Sequence, residues 1–130
     1  MLSQPKRPRY EPAIRVTAMP ADANYYGDIF GGWLMSQMDL AAGSVAARYA
    51  GGRAVTIAVE GMTFHRPVFI GDEVSVYAKL ISTGRTSMKI AVEAWRRDRD
   101  SNENYRVTEA TFTFVAVGED RRPRPVKPAA

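Results

Sequence analysis

The sequence predicts an α+β domain in which an antiparallel sheet of about five strands wraps around one long central helix. The first observation is the stretch Asn24–Tyr49, which reads as a glycine-containing turn followed by a long helix that is apolar on nearly every face. The second is an alternation of apolar and polar residues through most of the chain after residue 53, interrupted by turn formers. Because a helix without a polar face must be covered, the sheet is expected to curl around it. A chain of 130 residues can bury one such core but not two.

The elements that precede the sheet's main part are a short strand, a loop and the helix. Residues Pro12–Ala18 are rich in β-branched side chains and predict the first strand, and the turn formers after them predict a loop. Asp28 is a candidate N-cap, although Gly31 and Gly32 make the first helical turn ambiguous, and Gly51 should end the helix. One face carries apolar residues at helical spacing, namely Phe30, Leu34, Met38, Ala41, Val45 and Tyr49.

Four further strands are expected after the helix. Residues 54–64 form the first of them, with Gly61 as a bulge, and residues 73–82 form the second. A hairpin turn at Gly84 and Arg85 leads to the third, and a polar loop at 98–104 leads to the last, at about 105–117. Strands joined by hairpins must be antiparallel. The residues expected to face the core on the last two strands are Met88, Ile90, Val92, Ala94, Ala110, Phe112, Phe114 and Ala116.

The positive charge is concentrated at the two ends of the chain. Residues 1–10 carry +3, residues 119–130 carry +2 and contain several prolines, and residues 11–118 carry −1. We therefore expect a single domain over 11–118 between two basic tails, the first flexible and the second proline-rich. A nucleic-acid-binding domain should carry its basic residues on the folded surface, so a role in nucleic-acid binding ranks last.

Composition also excludes several kinds of site. The chain has no cysteine, which removes disulfides, a thiol nucleophile and cysteine-based metal sites. It has one histidine, His65, and neither a G-x-S-x-G elbow nor further histidine ligands accompany it. Phosphate-loop and dinucleotide signatures are absent, and no apolar run approaches the length of a membrane span. We expect a cytoplasmic protein without a metal site, a membrane segment or a nucleic-acid partner.

The chemistry that remains is that of a carboxylate. Asp39 lies within the apolar helix with no Lys or Arg three or four residues away, so it must be partnered from elsewhere or neutral. It could act as a general base on water or as a nucleophile toward a carbonyl group. Gly31 and Gly32 would let a substrate carbonyl approach the N–H groups at the helix N-terminus, and Asn24 could add a side-chain donor. The alternative is purely structural, with the glycines forming a tight turn and Asp39 satisfying a buried polar group.

Several motifs together resemble those of a known family. The run Asp22–Asp39 (DANYYGDIFGGWLMSQMD) is similar to the signature of the hotdog-fold acyl-CoA thioesterases, most of all the bacterial YciA branch. The segments VTIAV at 55–59, GMTF at 61–64 with RPV at 66–68, GRTS at 84–87 and TFTFVAV at 111–117 extend the resemblance over about residues 14–125.

The resemblance implies a five-stranded sheet around one helix, hydrolysis of acyl-CoA to a free acid and CoA, and subunits that pair into dimers, commonly three to a hexamer. It implies no cofactor, because coenzyme A is part of the substrate and of the product. By position, Asp39 matches the catalytic acid, Asn24 its helper near the thioester, and Gly31 and Gly32 the oxyanion turn.

Other positions are implied to bind the CoA part of the substrate. These are Arg85, Thr86 and Ser87 in a hairpin near the nucleotide, together with Arg66 and Thr56. Two residues depart from the pattern, because Tyr26 stands where relatives often have asparagine and His65 where an apolar residue or lysine is usual. The resemblance therefore predicts an acyl-CoA thioesterase. The alternatives are a hotdog protein that binds acyl-CoA without turnover, and a hotdog dehydratase, which normally uses a histidine.

Overall fold

The computed structural model describes residues 5–126, so the outermost parts of the two predicted tails lie outside the described residues. It contains one long helix and five strands. The strands are β1 (Ile14–Thr17), β2 (Ala54–Phe64), β3 (Glu73–Thr83), β4 (Ser87–Arg97) and β5 (Asn104–Ala116). The helix α1 spans Gly31–Ala50, and a short 3₁₀ turn at Pro20–Asp22 lies between β1 and α1.

The five strands form one antiparallel sheet in the order β1-β3-β4-β5-β2. The predicted hairpins β3–β4 and β4–β5 are confirmed as antiparallel pairs. The bulge predicted in β2 is also confirmed, since the register with β5 shifts between Glu60 and Thr63 and Gly61 has φ +71°. A positive φ is a conformation that glycine adopts without steric cost, which explains why this residue stands there.

The core lies between α1 and the concave face of the sheet. The predicted inward residues of β4 are at most 1% exposed, and those of β5 at most 7%. On the helix, the buried residues are Leu34, Met38, Ala41, Ala42, Ala46 and Ala50. The small side chains among them let the helix lie close to the sheet.

One chain does not cover α1 on all sides, which differs from the expectation of a fully wrapped helix. Phe30 is 48% exposed, Met35 39% and Leu40 62%. The reason is that β2 is an edge strand, so the sheet stops there and leaves one side of the helix open. Apolar residues of β2 are exposed on the same edge.

The two ends of α1 have different caps. Gly51 adopts φ +70° and donates its N–H to Ala47 O, so the predicted glycine C-cap is confirmed. The predicted N-cap Asp28 is wrong, because the N-cap position is occupied by Phe30. Asp28 instead pairs as an isolated bridge with Phe69, and its carbonyl accepts the Asn24 N–H at 2.6 Å.

Segments outside the predicted domain contact its body. Tyr10 packs edge-on against Tyr77 with ring centroids 5.9 Å apart. Val126 is 3% exposed, and its N–H donates to Arg85 O at 2.9 Å. Arg124 donates from Nη2 to Ala50 O, at the last residue of α1. Contacts with the body therefore continue past residue 118, where the sequence places the end of the domain.

Candidate active site

The N-terminus of α1 is an uncapped helix end. Phe30 has no side-chain oxygen to cap it, and the first helical hydrogen bond runs from Leu34 N to Phe30 O at 3.2 Å. The N–H groups of Gly31, Gly32 and Trp33 therefore have no acceptor among the described residues. At Gly32, a side-chain Cβ would meet no heavy atom within 4 Å, so the backbone is open to an approaching group. Free N–H groups and the helix dipole favour a negatively charged oxygen here.

Asn24 is held by its own loop. Its Oδ1 accepts the N–H groups of Tyr26 and Asp28 at 2.9 and 3.1 Å. The amide oxygen is used in these bonds, which orients the Nδ2–H₂ group as the remaining donor. The loop is joined to α1 by the bond from Phe30 N to Asp22 O at 3.2 Å. Asn24 and the helix N-terminus therefore form one connected unit.

Asp39 has a partner on β2. Thr56 Oγ1 donates a hydrogen bond to Asp39 Oδ1 at 2.5 Å. Asp39 is half-buried, and Thr56 lies on the edge strand, so the carboxylate is oriented while one side of it remains accessible. The sequence left two possibilities for Asp39, a partner from elsewhere in the chain or a neutral carboxyl, and the structure shows a partner. Thr56, which the resemblance assigned to substrate binding, contacts the acid itself.

The two halves of the predicted catalytic set are not brought together within one chain. Asp39 lies eight residues after Gly31 on a helix that begins at Gly31. At 1.5 Å per residue these positions are about 12 Å apart along the axis. A thioester held at the Gly31 N–H is therefore too far from the Asp39 of the same chain for attack through one water molecule.

The predicted CoA-binding hairpin lies at the Asp39 side of the sheet. Ser87 on β4 faces Val115 on β5, which in turn faces Val55 on β2, next to Thr56. Adjacent strands are about 4.8 Å apart, so Ser87 is about 10 Å from this part of β2. Arg85 is exposed at the tip of the hairpin, and Thr86 and Ser87 are half-buried.

Arg66 lies at the opposite end of β2 from this hairpin. It follows Phe64 closely in the chain, and its guanidinium lies 4.6 Å from the centroid of the Tyr105 ring. Within one chain, Arg66 is thus grouped with the N-terminus of α1, while Arg85 is grouped with Asp39.

Neither departure from the family pattern contacts Asp39. Tyr26 is 85% exposed, and its ring packs edge-on against that of Tyr25. His65 Nε2 lies 2.9 Å from Glu109 Oε2. Among residues 5–126, no three His, Asp or Glu side chains are grouped as metal ligands would be.

Sequence reasoning missed the role of Phe64. A Cβ placed on Gly31 would lie 3.3 Å from Phe64 Cζ, so the tip of this ring packs directly over the first residue of α1. The two residues are 33 positions apart, and no local pattern signals such a contact.

No helix within the described part of the chain is long and apolar enough to cross a bilayer.

Comparison with known proteins agrees with this architecture. The model of the family described as "Thioesterase superfamily" matches residues 26–102. An uncharacterized acyl-CoA thioester hydrolase of Zymomonas mobilis is 57% identical over 97% of this chain and 85% of its own length. The acyl-CoA thioester hydrolase YciA of Escherichia coli is 48% identical over 90% of this chain and 91% of its own.

Solved structures add the fold. The crystal structure of a hexameric thioesterase from Yersinia pestis has a TM-score of 0.88 at 49% identity, covering 95% of this chain and 100% of that one. A hexameric hotdog-fold thioesterase of Campylobacter jejuni has a TM-score of 0.87 at 38% identity, over 93% of each chain. With its single long helix, five-stranded antiparallel sheet and these relatives, the chain belongs to the thioesterase superfamily and has the hotdog fold.

Proposed function

We propose that the protein is an acyl-CoA thioester hydrolase that converts acyl-CoA and water to a free carboxylic acid and CoA. The observation that carries this proposal is that the chain presents both a base and an oxyanion-binding group. One is the Asp39 carboxylate oriented by the Thr56 hydroxyl at 2.5 Å, and the other is the uncapped N-terminus of α1. The relatives named acyl-CoA thioester hydrolases support it.

The reaction follows from these groups. The thioester oxygen accepts hydrogen bonds from the free N–H groups at Gly31 and Gly32, with Asn24 Nδ2 as a further donor. Asp39 takes a proton from a water molecule as the water oxygen attacks the carbonyl carbon. The negative charge that forms on the thioester oxygen is stabilised by the N–H donors and the helix dipole. The C–S bond then breaks, and the CoA sulfur leaves as a thiolate that takes up the proton.

The site is completed by a second subunit in this proposal. Thr56 and Asp39 lie at the first half of β2, and Phe64 and Gly31 lie at its second half. If the β2 edges of two chains pair antiparallel about the middle of Ala54–Phe64, the first half of one strand lies beside the second half of the other. Asp39 of each chain is then carried toward the helix N-terminus of its partner. This closes the gap of about 12 Å that a single chain leaves.

The β2 edge has the composition of such an interface. Val55 is 42% exposed, Ile57 59% and Val59 36%, and Leu40 of α1 is 62% exposed. A long edge strand with unpaired backbone groups and exposed apolar side chains invites association with another chain. We propose a dimer through β2 and, because the structural relatives are described as hexameric, three such dimers in the complete assembly.

Light scattering at micromolar concentration should give a mass of at least twice the 14.4 kDa of one chain. Ile57→Asp should lower that mass, because it places a charge in the proposed apolar interface at a residue that a lone chain leaves exposed. Ile81→Asp is the matched control. Ile81 is 53% exposed on β3, which is separated from β2 by β4 and β5, so its substitution should leave the β2 dimer intact. A wild-type monomer, or an unchanged mass for Ile57→Asp, contradicts the proposed interface.

The same pairing places the CoA-binding residues on both chains. In each composite site, one subunit contributes Asp39 and the hairpin Arg85–Ser87. The other subunit contributes the helix N-terminus and Arg66. We propose that Arg85 contacts the phosphates of CoA from its exposed position on the hairpin, as a guanidinium binds phosphate well. Thr86 and Ser87 would add hydroxyl donors, and Arg66 would contact the substrate from the opposite side.

Arg85→Ala should raise KM for acyl-CoA about threefold to tenfold with little change in kcat, because the contact is the same in the ground state and the transition state. The dependence of KM on salt should weaken as well. Arg99→Ala, at the exposed turn between β4 and β5, should leave KM unchanged. For a short thioester without the nucleotide, KM should be the same for Arg85→Ala and for wild type. The assignment fails if KM for acyl-CoA is unaltered or rises equally for the short thioester.

Detection of the free thiol during incubation with acyl-CoA tests the function itself. A series of chain lengths should show release of CoA, without any added metal or cofactor. Binding of acyl-CoA without release would favour the acyl-CoA-binding alternative. Hydration of an enoyl thioester would favour the dehydratase. We do not expect this result, because His65 lies just past the end of β2, outside the helix, and is paired with Glu109. We further propose that the enzyme acts in the cytoplasm.

A further inference from the structure

An apolar pocket of about 220 Å³ lies beside the N-terminus of α1. Its walls include Ile29, Leu34, Val68 and Val107, all at most 9% exposed. Phe64 and one charged residue, Arg66, also line the pocket, and the Arg66 guanidinium stacks over the Tyr105 ring at 4.6 Å. A larger cleft of about 890 Å³ lies at the other end of the helix, but Arg53, Glu119 and Arg124 are among its lining residues. Three charged side chains make that cleft unsuited to a hydrocarbon, whereas the lining of the pocket beside Gly31 is apolar apart from Arg66.

The pocket is joined to the free N–H groups of the helix through Gly31. Phe64 Cζ would be 3.3 Å from a Cβ on Gly31, and the ring lines the pocket as well. A carbonyl oxygen bound at the Gly31 N–H therefore lies within a few bond lengths of the pocket. Any side chain larger than hydrogen at Gly31 would press on the ring that separates the two.

We propose that this pocket receives the acyl chain of the substrate, and that Phe64 determines the chain length the enzyme prefers. The inference rests on the proposed thioester hydrolysis. In it, the hydrocarbon of the substrate occupies this pocket, and the Phe64 side chain limits its length. Phe64 is suited to that role because it is 47% exposed within one chain, so its ring is not part of the closed core of the subunit and can be replaced without opening that core.

The volume sets an expected preference. A pocket of about 220 Å³ holds about seven groups of the size of a water molecule, at ~30 Å³ each. Each methylene that enters an apolar pocket contributes about a fourfold gain in kcat/KM. The wild-type enzyme should therefore gain activity with chain length up to about six to eight carbons and gain little beyond that.

A series at residue 64 tests the proposal. Phe64→Ala and Phe64→Leu should move the optimum of kcat/KM to longer chains, and Phe64→Trp should move it to shorter ones. For the longest chains Phe64→Ala should gain about fourfold per additional methylene admitted, relative to wild type. Phe69→Ala is the matched control, since Phe69 is 44% exposed and does not line the pocket, and its profile should keep the wild-type optimum.

A second measurement separates binding from turnover. In an Asp39→Asn background the dissociation constants of the acyl-CoA series should follow the same dependence on chain length, with the same shifts on changing Phe64. If the wild-type enzyme hydrolyses acyl-CoA but all residue-64 variants keep one optimum, the pocket assignment is wrong and the function stands. If the variants alter only the subunit mass or melting temperature, the pocket holds a side chain of a second copy instead, and the proposal is overturned. If no acyl-CoA releases CoA, it is the proposed function that fails.

Discussion

Asp39→Asn should keep the fold and the assembly but lower kcat by about 10²–10⁴, the contribution of a positioned general base. Asparagine has nearly the same size and can still accept the Thr56 hydroxyl bond that Asp39 Oδ1 accepts at 2.5 Å. It has no basicity, so water near the thioester is no longer activated. The measurement is kcat for acyl-CoA by free-thiol detection, with subunit mass and melting temperature measured on the same sample.

Asp100→Asn is a suitable control for this substitution. Its carboxylate is 89% exposed in the turn between β4 and β5, away from the helix. It should retain wild-type kcat. If Asp39→Asn also turns over at a near-normal rate, a mechanism based on this carboxylate is eliminated, whether Asp39 acts on water or attacks the carbonyl directly.

Two inactive variants should restore activity when they are combined. Asn24→Ala removes a donor at the helix N-terminus, and Asp39→Ala removes the base, so each homodimer should be nearly inactive. In a mixed dimer with composite sites, one site collects both substitutions and the other contains neither. Random pairing makes about half of the dimers mixed, so about a quarter of the wild-type activity should return after the two variants are refolded together.

The arrangement within one subunit predicts a different result. If Asn24 and Asp39 of the same chain formed the site, every site in a mixed dimer would keep one substitution and no activity would return. The control is a refolded mixture of Asp39→Ala with Asp39→Asn, which cannot form an intact site in either arrangement. Absence of recovery in the Asn24→Ala mixture, with mixed dimers shown to have formed, contradicts the composite site.

Much of the fold is predictable from local patterns. The helix from Gly31 to Ala50 and its glycine C-cap follow from an apolar segment bounded by glycines. The strands β2 to β5 follow from alternation and turn residues, and the bulge at Gly61 from a glycine inside a strand. These features depend on residues close together in the chain, so a linear reading contains the information.

The N-cap and the covering of the helix could not be predicted in this way. Asp28 is an ordinary capping residue, but tertiary pairing with Phe69 uses its backbone elsewhere and leaves Phe30 at the cap position. The open side of α1 follows from the placement of β2 at the edge of the sheet, which depends on its pairing with β5 rather than β3. Strand order is a long-range property, and the alternation of a strand does not reveal its neighbour.

The candidate site, like the fold, is predictable from the sequence only in part. Asp39, Asn24 and the glycine pair were identifiable from the chain because a lone acid in an apolar helix and a glycine turn are unusual locally. Their arrangement depended on contacts between distant segments, namely the Thr56 hydroxyl on Asp39 and the Phe64 ring over Gly31. The amino-acid sequence shows which side chains and backbone groups are available for chemistry. Which of them lie within bonding distance is set by how the edge strand crosses the helix, since only packing brings positions 17 and 33 residues apart into contact.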